Sequence, residues 1–140
     1  MKLSEARALR AQMETTFAKA APAMTADEII ENRVLCKAWA AGVHTVGEVY
    51  TVGNQPWECY QPYDNAVYPD IVPGNAAWFT FNRPYHGTTP ETALPWIAPT
   101  HSGDIYRAGE YMIWVDGLVK RCVRDTSFGP DYDPNAWEAQ

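Results

Sequence analysis

The fold is decided by residues 39–78, which read WAAGVHTVGEVYTVGNQPWECYQPYDNAVYPDIVPGNAAW, because a shorter copy follows at residues 96–137. Both copies contain, in the same order, a Gly-Glu pair, an apolar run, a tight turn, a cysteine, a Pro-Asp-x-x-Pro segment and a final Ala-Trp. The glycine and the cysteine are 12 positions apart in the first copy (Gly47 to Cys59) and 13 apart in the second (Gly109 to Cys122). Six landmarks kept in order predict an internal duplication.

Each copy is predicted to be a small antiparallel β module. Apolar residues alternate with polar ones before a turn, which is typical of half-buried strands. The turns are Gly53-Asn54 in the first copy and Asp116-Gly117 in the second, and both supply the positive-φ residues that a hairpin requires. Modules of about 40 residues are near the limit for independent folding. The two copies are therefore expected to lean on each other or on other subunits.

The residues before the first copy are predicted to be helical. Apolar residues recur at three- and four-residue spacing over residues 3–20. Thr25 followed by Glu28 is a capping box, which starts a second, short helix. The first helix carries too few large apolar residues to be stable alone, so it packs either on its own domain or on other copies of the chain.

The expected fold class is mainly β, with two small antiparallel modules in tandem after one or two N-terminal helices. The predicted boundaries are 1–36 for a helical docking or oligomerisation segment, 37–82 for the first module, 83–95 for a linker without periodicity, and 96–140 for the second, shorter module.

Composition excludes several classes of partner. The 140 residues carry a net charge of −6, which argues against nucleic acid and anionic membranes. No apolar run approaches membrane-spanning length, and the first residues lack the apolar core of a signal peptide. We therefore expect no membrane insertion and no export by the signal-peptide route.

The residues that carry catalysis or bind metals do not form a recognisable pattern. The three histidines lie far apart, no Cys-x-x-Cys pair occurs, and no Gly-x-Ser-x-Gly motif is present. Aspartates in Pro/Gly-rich loops are usually turn formers, and Glu48 and Glu110 are expected to be structural. We expect no enzyme activity, no metal and no cofactor. Cys59 and Cys122 should be reduced and buried, each in its own module.

The aromatic loops are the strongest functional feature. With 13% aromatic residues, a chain this short cannot hide every ring in its cores. An exposed ring offers a flat surface to the C–H face of a sugar, and nearby polar groups bond to its hydroxyls. The alternative is that these rings cover the thin cores. The candidate carbohydrate-binding residues are Tyr60, Tyr63, Asp64 and Tyr68 in the first copy and Phe128 and Tyr132 in the second.

The same residues resemble the chitin-type carbohydrate-binding modules of family 5/12. The first copy carries the resemblance in Trp39-Ala-Ala-Gly42-Val43, His44-Thr-Val-Gly47-Glu48, Trp57-Glu-Cys59 and Pro69-Asp70-Ile71-Val72-Pro73 with Trp78. The second copy resembles a shorter variant through Trp96-Ile-Ala-Pro99-Thr100, Ile105-Tyr106-Arg-Ala-Gly109-Glu110 and Asn135-Ala-Trp137.

The departures from the family pattern direct attention to the first copy. Glu48 and Glu110 stand where the family has Asp, and His44 stands where a Tyr is usual. Tyr63 and Tyr68 fall near the family's His and exposed Trp, so the resemblance makes them the first choices for sugar contact. The second copy has Lys120 in place of a Tyr and a shortened loop, which predicts a smaller role in binding.

The order of helix, longer module and shorter module is similar to small tail-associated proteins of phages and prophages. This resemblance implies a virion protein made in the bacterial cytoplasm. It also implies surface glycan as ligand, other tail or fibre proteins as partners, and a homo-oligomer, with three copies preferred. The main alternative is a structural or adaptor subunit of a tail fibre or baseplate that binds no ligand. A third is a binding appendage of a cell-wall or chitin-degrading enzyme. The glycan-binding and structural roles are distinguished by whether Tyr60, Tyr63 and Tyr68 form an exposed, coplanar row.

Overall fold

The structure is a computed structural model that describes residues 2–140. It begins with helix α1 (Leu3–Ala20), a 3-10 turn at Ala21–Ala23 and the short helix α2 (Ala26–Glu31). The predicted capping box is confirmed, because the backbone N–H of Glu28 donates to the Thr25 hydroxyl and that of Thr25 donates to the Glu28 carboxylate, both at 3.2 Å.

The first module follows a 3-10 turn at Arg33–Leu35. Its elements are β1 (Lys37–Ala38), β2 (Val43–His44), β3 (Val49–Val52), β4 (Gln55–Cys59), β5 (Tyr63–Asp64), the one-turn helix α3 (Trp78–Phe81) and β6 (Asn82–Pro84). One sheet has the order β1-β3-β4-β6, and β2 pairs with β5 in a separate ribbon. The β3–β4 hairpin turns at Gly53-Asn54, where Gly53 has a φ of 61°, as the sequence predicts.

The second module repeats this sheet with fewer residues. Its elements are a 3-10 turn at Pro90–Thr92, then β7 (Leu94–Pro95), β8 (Tyr111–Ile113), β9 (Val119–Cys122), a 3-10 turn at Pro134–Ala136 and β10 (Trp137–Ala139). The strand order is β10-β9-β8-β7. In each module the first strand pairs in parallel, β1 with β3 and β7 with β8. The sheets are therefore mixed rather than purely antiparallel, although the mainly β fold in two modules is confirmed.

Most of residues 83–95 belong to the second module rather than to a linker, although Arg83 and Pro84 complete strand β6 of the first sheet. The chain divides into two compact units, one ending at Asn82 and the other comprising Arg83–Gln140. Within the segment, Gly87 pairs with Tyr111 and Leu94–Pro95 forms β7. The segment has no helical or strand periodicity because it contributes single backbone contacts instead of a long regular element.

The duplication extends to individual backbone hydrogen bonds. The N–H of Gly47 donates to the carbonyl of Cys59 at 2.9 Å, and Gly109 donates to Cys122 at 2.8 Å. The one-residue difference lies in the hairpin turn. The first hairpin pairs Val52 with Gln55 across two residues, whereas in the second the N–H of Trp114 donates to the carbonyl of Leu118 across three.

The final Ala-Trp landmark is not equivalent in the two copies. The N–H of Tyr60 donates to the carbonyl of Phe81, and the N–H of Val123 donates to the carbonyl of Ala136. Trp137 therefore occupies the place of Asn82 in the sheet. Trp78 lies on the preceding helix α3, where it is buried at the centre of the first core.

All three cysteines are buried and none forms a disulfide. The thiol of Cys59 donates to the carbonyl of Gln61, and that of Cys122 donates to the carbonyl of Arg124. Burial raises the pKa of Cys122, and likewise that of Cys36, to about 11. The expectation of reduced, buried thiols at equivalent places is confirmed.

These thiols should resist alkylation in the native protein. The thiolate is the reactive species, and burial both disfavours it and blocks access to the reagent. Treatment with a thiol reagent at pH 8 should label fewer than one cysteine per chain in buffer and all three in denaturant. Rapid labelling of one thiol in buffer would contradict this arrangement.

Candidate functional site

Tyr63, one of the two preferred sugar contacts, lies in the core. It pairs with His44 in the β2–β5 ribbon and is only 5% exposed. Its hydroxyl accepts a 2.9 Å hydrogen bond from the indole N–H of Trp39 and lies 2.7 Å from the hydroxyl of Tyr50. Burial raises the pKa of both tyrosines. The prediction that Tyr63 is a surface residue is wrong, because cross-strand pairing turns its ring inward.

Tyr60 and Asp64 also have structural partners. Tyr60 is half-buried, and its hydroxyl donates to the carbonyl of Phe79 at 2.7 Å. The carboxylate of Asp64 accepts from the N–H of Ala66 at 2.9 Å, which shapes the loop into an Asx turn. The exposed row of three tyrosines that would distinguish glycan binding from a structural role is absent, because only Tyr68 of the three is fully exposed.

Tyr68 is 61% exposed and lies in an apolar part of the first module. The neighbouring Val67 is also exposed, as is Val43, which pairs with Asp64 in the β2–β5 ribbon. A shallow groove beside Tyr68 is lined by Pro69, Asp70, Ile71, Ala77 and Phe81. This face offers one fully exposed aromatic ring, Tyr68, with few polar groups.

The second module exposes two aromatic rings that lie close together. Phe128 is 57% exposed and Tyr132 is 82% exposed, and their ring centroids are 6.4 Å apart with 54° between the ring planes. Two tilted rings at this distance form a corner rather than a flat row. Such a corner can contact a sugar ring on one face and along one edge.

The loop that carries this pair is held at several points. The N–H groups of Tyr132 and Asp133 donate to the carbonyl of Gly129 at 3.1 and 2.9 Å. The Asp133 carboxylate accepts from the Thr126 hydroxyl at 2.7 Å and pairs with Arg124. Hydrogen bonds from Thr126 and Arg124 lower the pKa of Asp133, so the carboxylate stays charged and these contacts persist at neutral pH.

Two contacts to tryptophans seat the same loop on the core. The indole N–H of Trp137 donates to the carbonyl of Phe128 at 3.0 Å. A Cβ added at Gly129 would lie 2.6 Å from the ring of Trp114, so only glycine permits this close approach. These contacts fix the backbone of Phe128, while its ring stays exposed.

An open groove of about 660 Å³ lies beside Phe128. It combines the aromatic wall with hydroxyl and carboxylate groups, which are the partners that sugar hydroxyls need. Its other wall is formed by the loop at 99–102, where the N–H groups of Thr100 and His101 donate to the buried carboxylate of Asp104. The polar lining residues are Thr100, His101, Ser102, Asp125, Thr126, Ser127 and Asp133.

The exposed rings occupy equivalent loops in the two modules. His44 is bridged to Tyr63 in the first module, as Tyr106 is bridged to Thr126 in the second. The loop that follows Tyr63 carries Tyr68, and the loop that follows Thr126 carries Phe128 and Tyr132. The duplication thus repeats one surface, and sequence alignment of short landmarks does not reveal which copy has the better-developed version.

A second repeated feature is a histidine–glutamate pair that the sequence pattern misses. His44 Nδ1 lies 3.0 Å from the carboxylate of Glu48, and His86 Nδ1 lies 3.0 Å from that of Glu110. His86 comes from the segment expected to be a linker, and its ring stacks on Tyr106 with a centroid distance of 3.8 Å. In each pair the histidine is buried and the glutamate is half-buried at the edge of the core, as expected for structural glutamates.

Hydrogen bonds hold the Glu48 carboxylate in its charged form. Desolvation opposes ionisation, but bonds from Lys37, His44 and the backbone of Thr45 outweigh it and lower the pKa of Glu48 to about 2. The backbone bond from Thr45 is 2.7 Å long. The second module repeats it, because the N–H of Arg107 donates to Glu110 at 2.8 Å.

Within residues 2–140, no group of three or more His, Cys, Asp or Glu side chains could hold a metal ion. None of the helices in this described part of the chain is both long and apolar enough to cross a membrane.

Tyr63 and Tyr68 should differ sharply when they are replaced. Tyr63→Ala removes a buried ring and should lower the free energy of unfolding by about 3–5 kcal/mol. Tyr63→Phe leaves the part-buried indole N–H of Trp39 without its acceptor and should cost about 1–3 kcal/mol. Tyr68→Ala should change stability by no more than about 0.5 kcal/mol. Urea unfolding of the three variants measures this, and equal losses at both positions would contradict the assigned burial.

Acid should weaken the first module through Glu48. Because its folded-state pKa of about 2 lies below the ordinary value of 4.5, the stabilisation is complete above about pH 4.5 and is lost as the pH falls towards 2. Glu48→Gln should lower the thermal midpoint at pH 7 and have a smaller effect at pH 2.5. Glu91→Gln, at an exposed site, is the control. An equal effect of Glu48→Gln at both pH values would argue against a charged carboxylate.

Comparisons with protein-family models, with curated proteins and with solved structures find no match to this chain, so its function has to be inferred from the residues themselves.

Proposed function

We propose that this chain is a non-catalytic carbohydrate-binding protein of a phage tail or tail-like particle, which contacts glycans of the bacterial surface through exposed aromatic side chains. The observation that carries the glycan proposal is the exposed pair Phe128 and Tyr132 on a fixed loop beside a polar groove. The tail setting is supported by the resemblance of the sequence alone.

The energetics of the loop favour binding over a purely structural role. Two large rings in water give up the free energy that burial would bring, about 25 cal/mol per Å² of apolar surface. The loop nevertheless keeps them outward by bonding its own backbone and Asp133 inward. A preformed aromatic surface loses little conformational entropy when a ligand binds.

The second module is the principal site in this proposal, and Tyr68 of the first module is a secondary contact. This reverses the order that the resemblance implies. The reason is that the shorter loop of the second module has fewer residues with which to cover its rings, whereas Tyr63 of the first module is enclosed.

A structural or adaptor role for the first module is the second candidate. The burial of Tyr63 and the bonded hydroxyl of Tyr60 favour it, since they leave a single exposed tyrosine there. The two roles are compatible within one chain, because each module has its own core.

The decisive experiment is retention of the purified chain on a glycan array that includes chitin oligomers and bacterial cell-wall polysaccharides. A shallow site should bind with a Kd between about 10 µM and 1 mM. The double variant F128A/Y132A should lose at least about tenfold in affinity, equivalent to about 1.4 kcal/mol. Tyr68→Ala should have a smaller effect.

The matched control is Leu118→Ala, which removes an exposed apolar side chain from the β8–β9 turn of the same module. It should leave binding unchanged. Circular dichroism should show native spectra for every variant, since each altered residue is exposed. Unchanged glycan binding by the folded double variant would refute the assigned site. Absence of binding to every glycan by the unaltered chain would favour the structural role.

A further inference from the structure

Helix α1 presents a continuous stripe of exposed small and apolar residues. The stripe has alternating spacings of three and four, which places its members on one face of a helix. Leu9 is 45% exposed and Met13 is 41% exposed. The stripe consists of Ala6, Leu9, Met13, Thr16 and Ala20, all of them exposed.

The stripe borders an apolar groove on the rest of the first unit. Phe17, Met24 and Leu35 line this groove together with Leu9 and Met13. Phe17 is the only buried residue of the 18 in α1. A helix of this length is marginal in water without packing along its face, and its first three turns bury no residue.

One flank of the stripe faces the rest of the first unit. Arg10 and Glu14 form an ion pair at 3.5 Å and, with Cys36, line a groove against the first unit. Phe17 is buried on the same side. The other flank carries Glu5, Gln12 and Lys19, which are exposed. A partner therefore has to approach from the flank of Glu5, Gln12 and Lys19.

We propose that two copies of the chain associate by packing their α1 helices antiparallel along this stripe. In this register Leu9 lies opposite Met13 of the second copy, and Ala6 lies opposite Thr16. On the open flank, Glu5 meets Lys19 of the second copy twice by symmetry, and Gln12 meets its own counterpart. The charges on this flank are thus self-complementary only when the helices run in opposite directions.

A parallel arrangement, including the trimer that the resemblance implies, matches these residues less well. In a parallel coiled coil the open flank of one helix contacts the opposite flank of its neighbour. Here that flank holds the enclosed Phe17 and the ion-paired Arg10. In the antiparallel pair the two Arg10 side chains lie on one side, each neutralised by its own Glu14.

This association does not depend on glycan binding. The stripe belongs to the first unit, whereas the principal glycan loop belongs to the second. Failure of one proposal therefore leaves the other intact. If both proposals hold, each dimer carries two copies of each aromatic loop. This raises the avidity for a surface glycan without new contacts.

The oligomeric state of the full chain tests the proposal. Sedimentation velocity over a range of concentrations should show a monomer–dimer equilibrium, since a single helix pair buries less than a standard interface of about 1,600 Å². Met13→Glu should reduce the association constant at least about tenfold, because it places a charge in an apolar contact. Ala11→Glu, on the opposite face of α1, should leave it unchanged. A monomer at all concentrations would overturn the proposal.

Charge exchange tests the direction of the helices. Glu5→Lys and Lys19→Glu should each weaken association by about two- to fivefold, as expected for exposed pairs. The double variant E5K/K19E should restore it, although the bond from the Lys2 N–H to Glu5 at the helix start is lost in both E5K proteins. Failure of the double variant to recover would refute the antiparallel register.

Disulfide trapping gives an independent test. Gln12→Cys should form a covalent dimer under mild oxidation, because the two-fold axis brings the substituted positions together, and the chain's own cysteines are buried. Ala11→Cys should not form one. A trimeric mass, or equal cross-linking of both variants, would overturn the proposed pairing.

Discussion

Each module depends on one carboxylate that ties its first turn to its aromatic core. The carboxylates of Glu48 and Glu110 each accept a hydrogen bond from the backbone N–H three residues upstream. Each also bonds to the imidazole of a histidine. The imidazole in turn packs against buried tyrosine rings, which are Tyr50 and Tyr63 in the first module and Tyr106 in the second. Each core contains few residues, so apolar packing alone would specify the pairing of its strands weakly. A charged carboxylate that accepts several hydrogen bonds at the edge of the core helps to fix this pairing.

Features set by neighbouring residues were predictable from the sequence. The hairpin turns, the capping box at Thr25 and the buried cysteines follow from local backbone chemistry and from the duplicated order of residues. The direction in which each ring points was not predictable. It depends on which strands pair, and a shift of one residue turns a side chain from the core to the surface. Tyr63 faces inward because it pairs with His44, and no pattern within its own loop indicates that partner.

The role of His86 shows a second limit of sequence interpretation. Residues 83–95 have the composition of a linker, yet His86 supplies to the second module the imidazole that His44 supplies to the first. The two histidines do not align in the duplicated sequence, because Tyr106 takes the backbone position of His44. A side chain from a distant segment thus fills the same place in space, and the order of the duplicated sequence motifs does not indicate this.

Loop length explains why the two copies present different surfaces. From Tyr63 to Asn82 the first module has 19 positions, and from Thr126 to Trp137 the second has 11. The longer loop bonds itself inward, with Asn65 accepting from the N–H of Gly42 and donating to the carbonyl of Ile71. Phe128 holds the place of Asn65 and has no such partners, so its ring faces water. Shortening a loop around a small core thus converts a covering segment into an exposed aromatic surface, and this is the physical reason why the proposed glycan contact is assigned mainly to the second module.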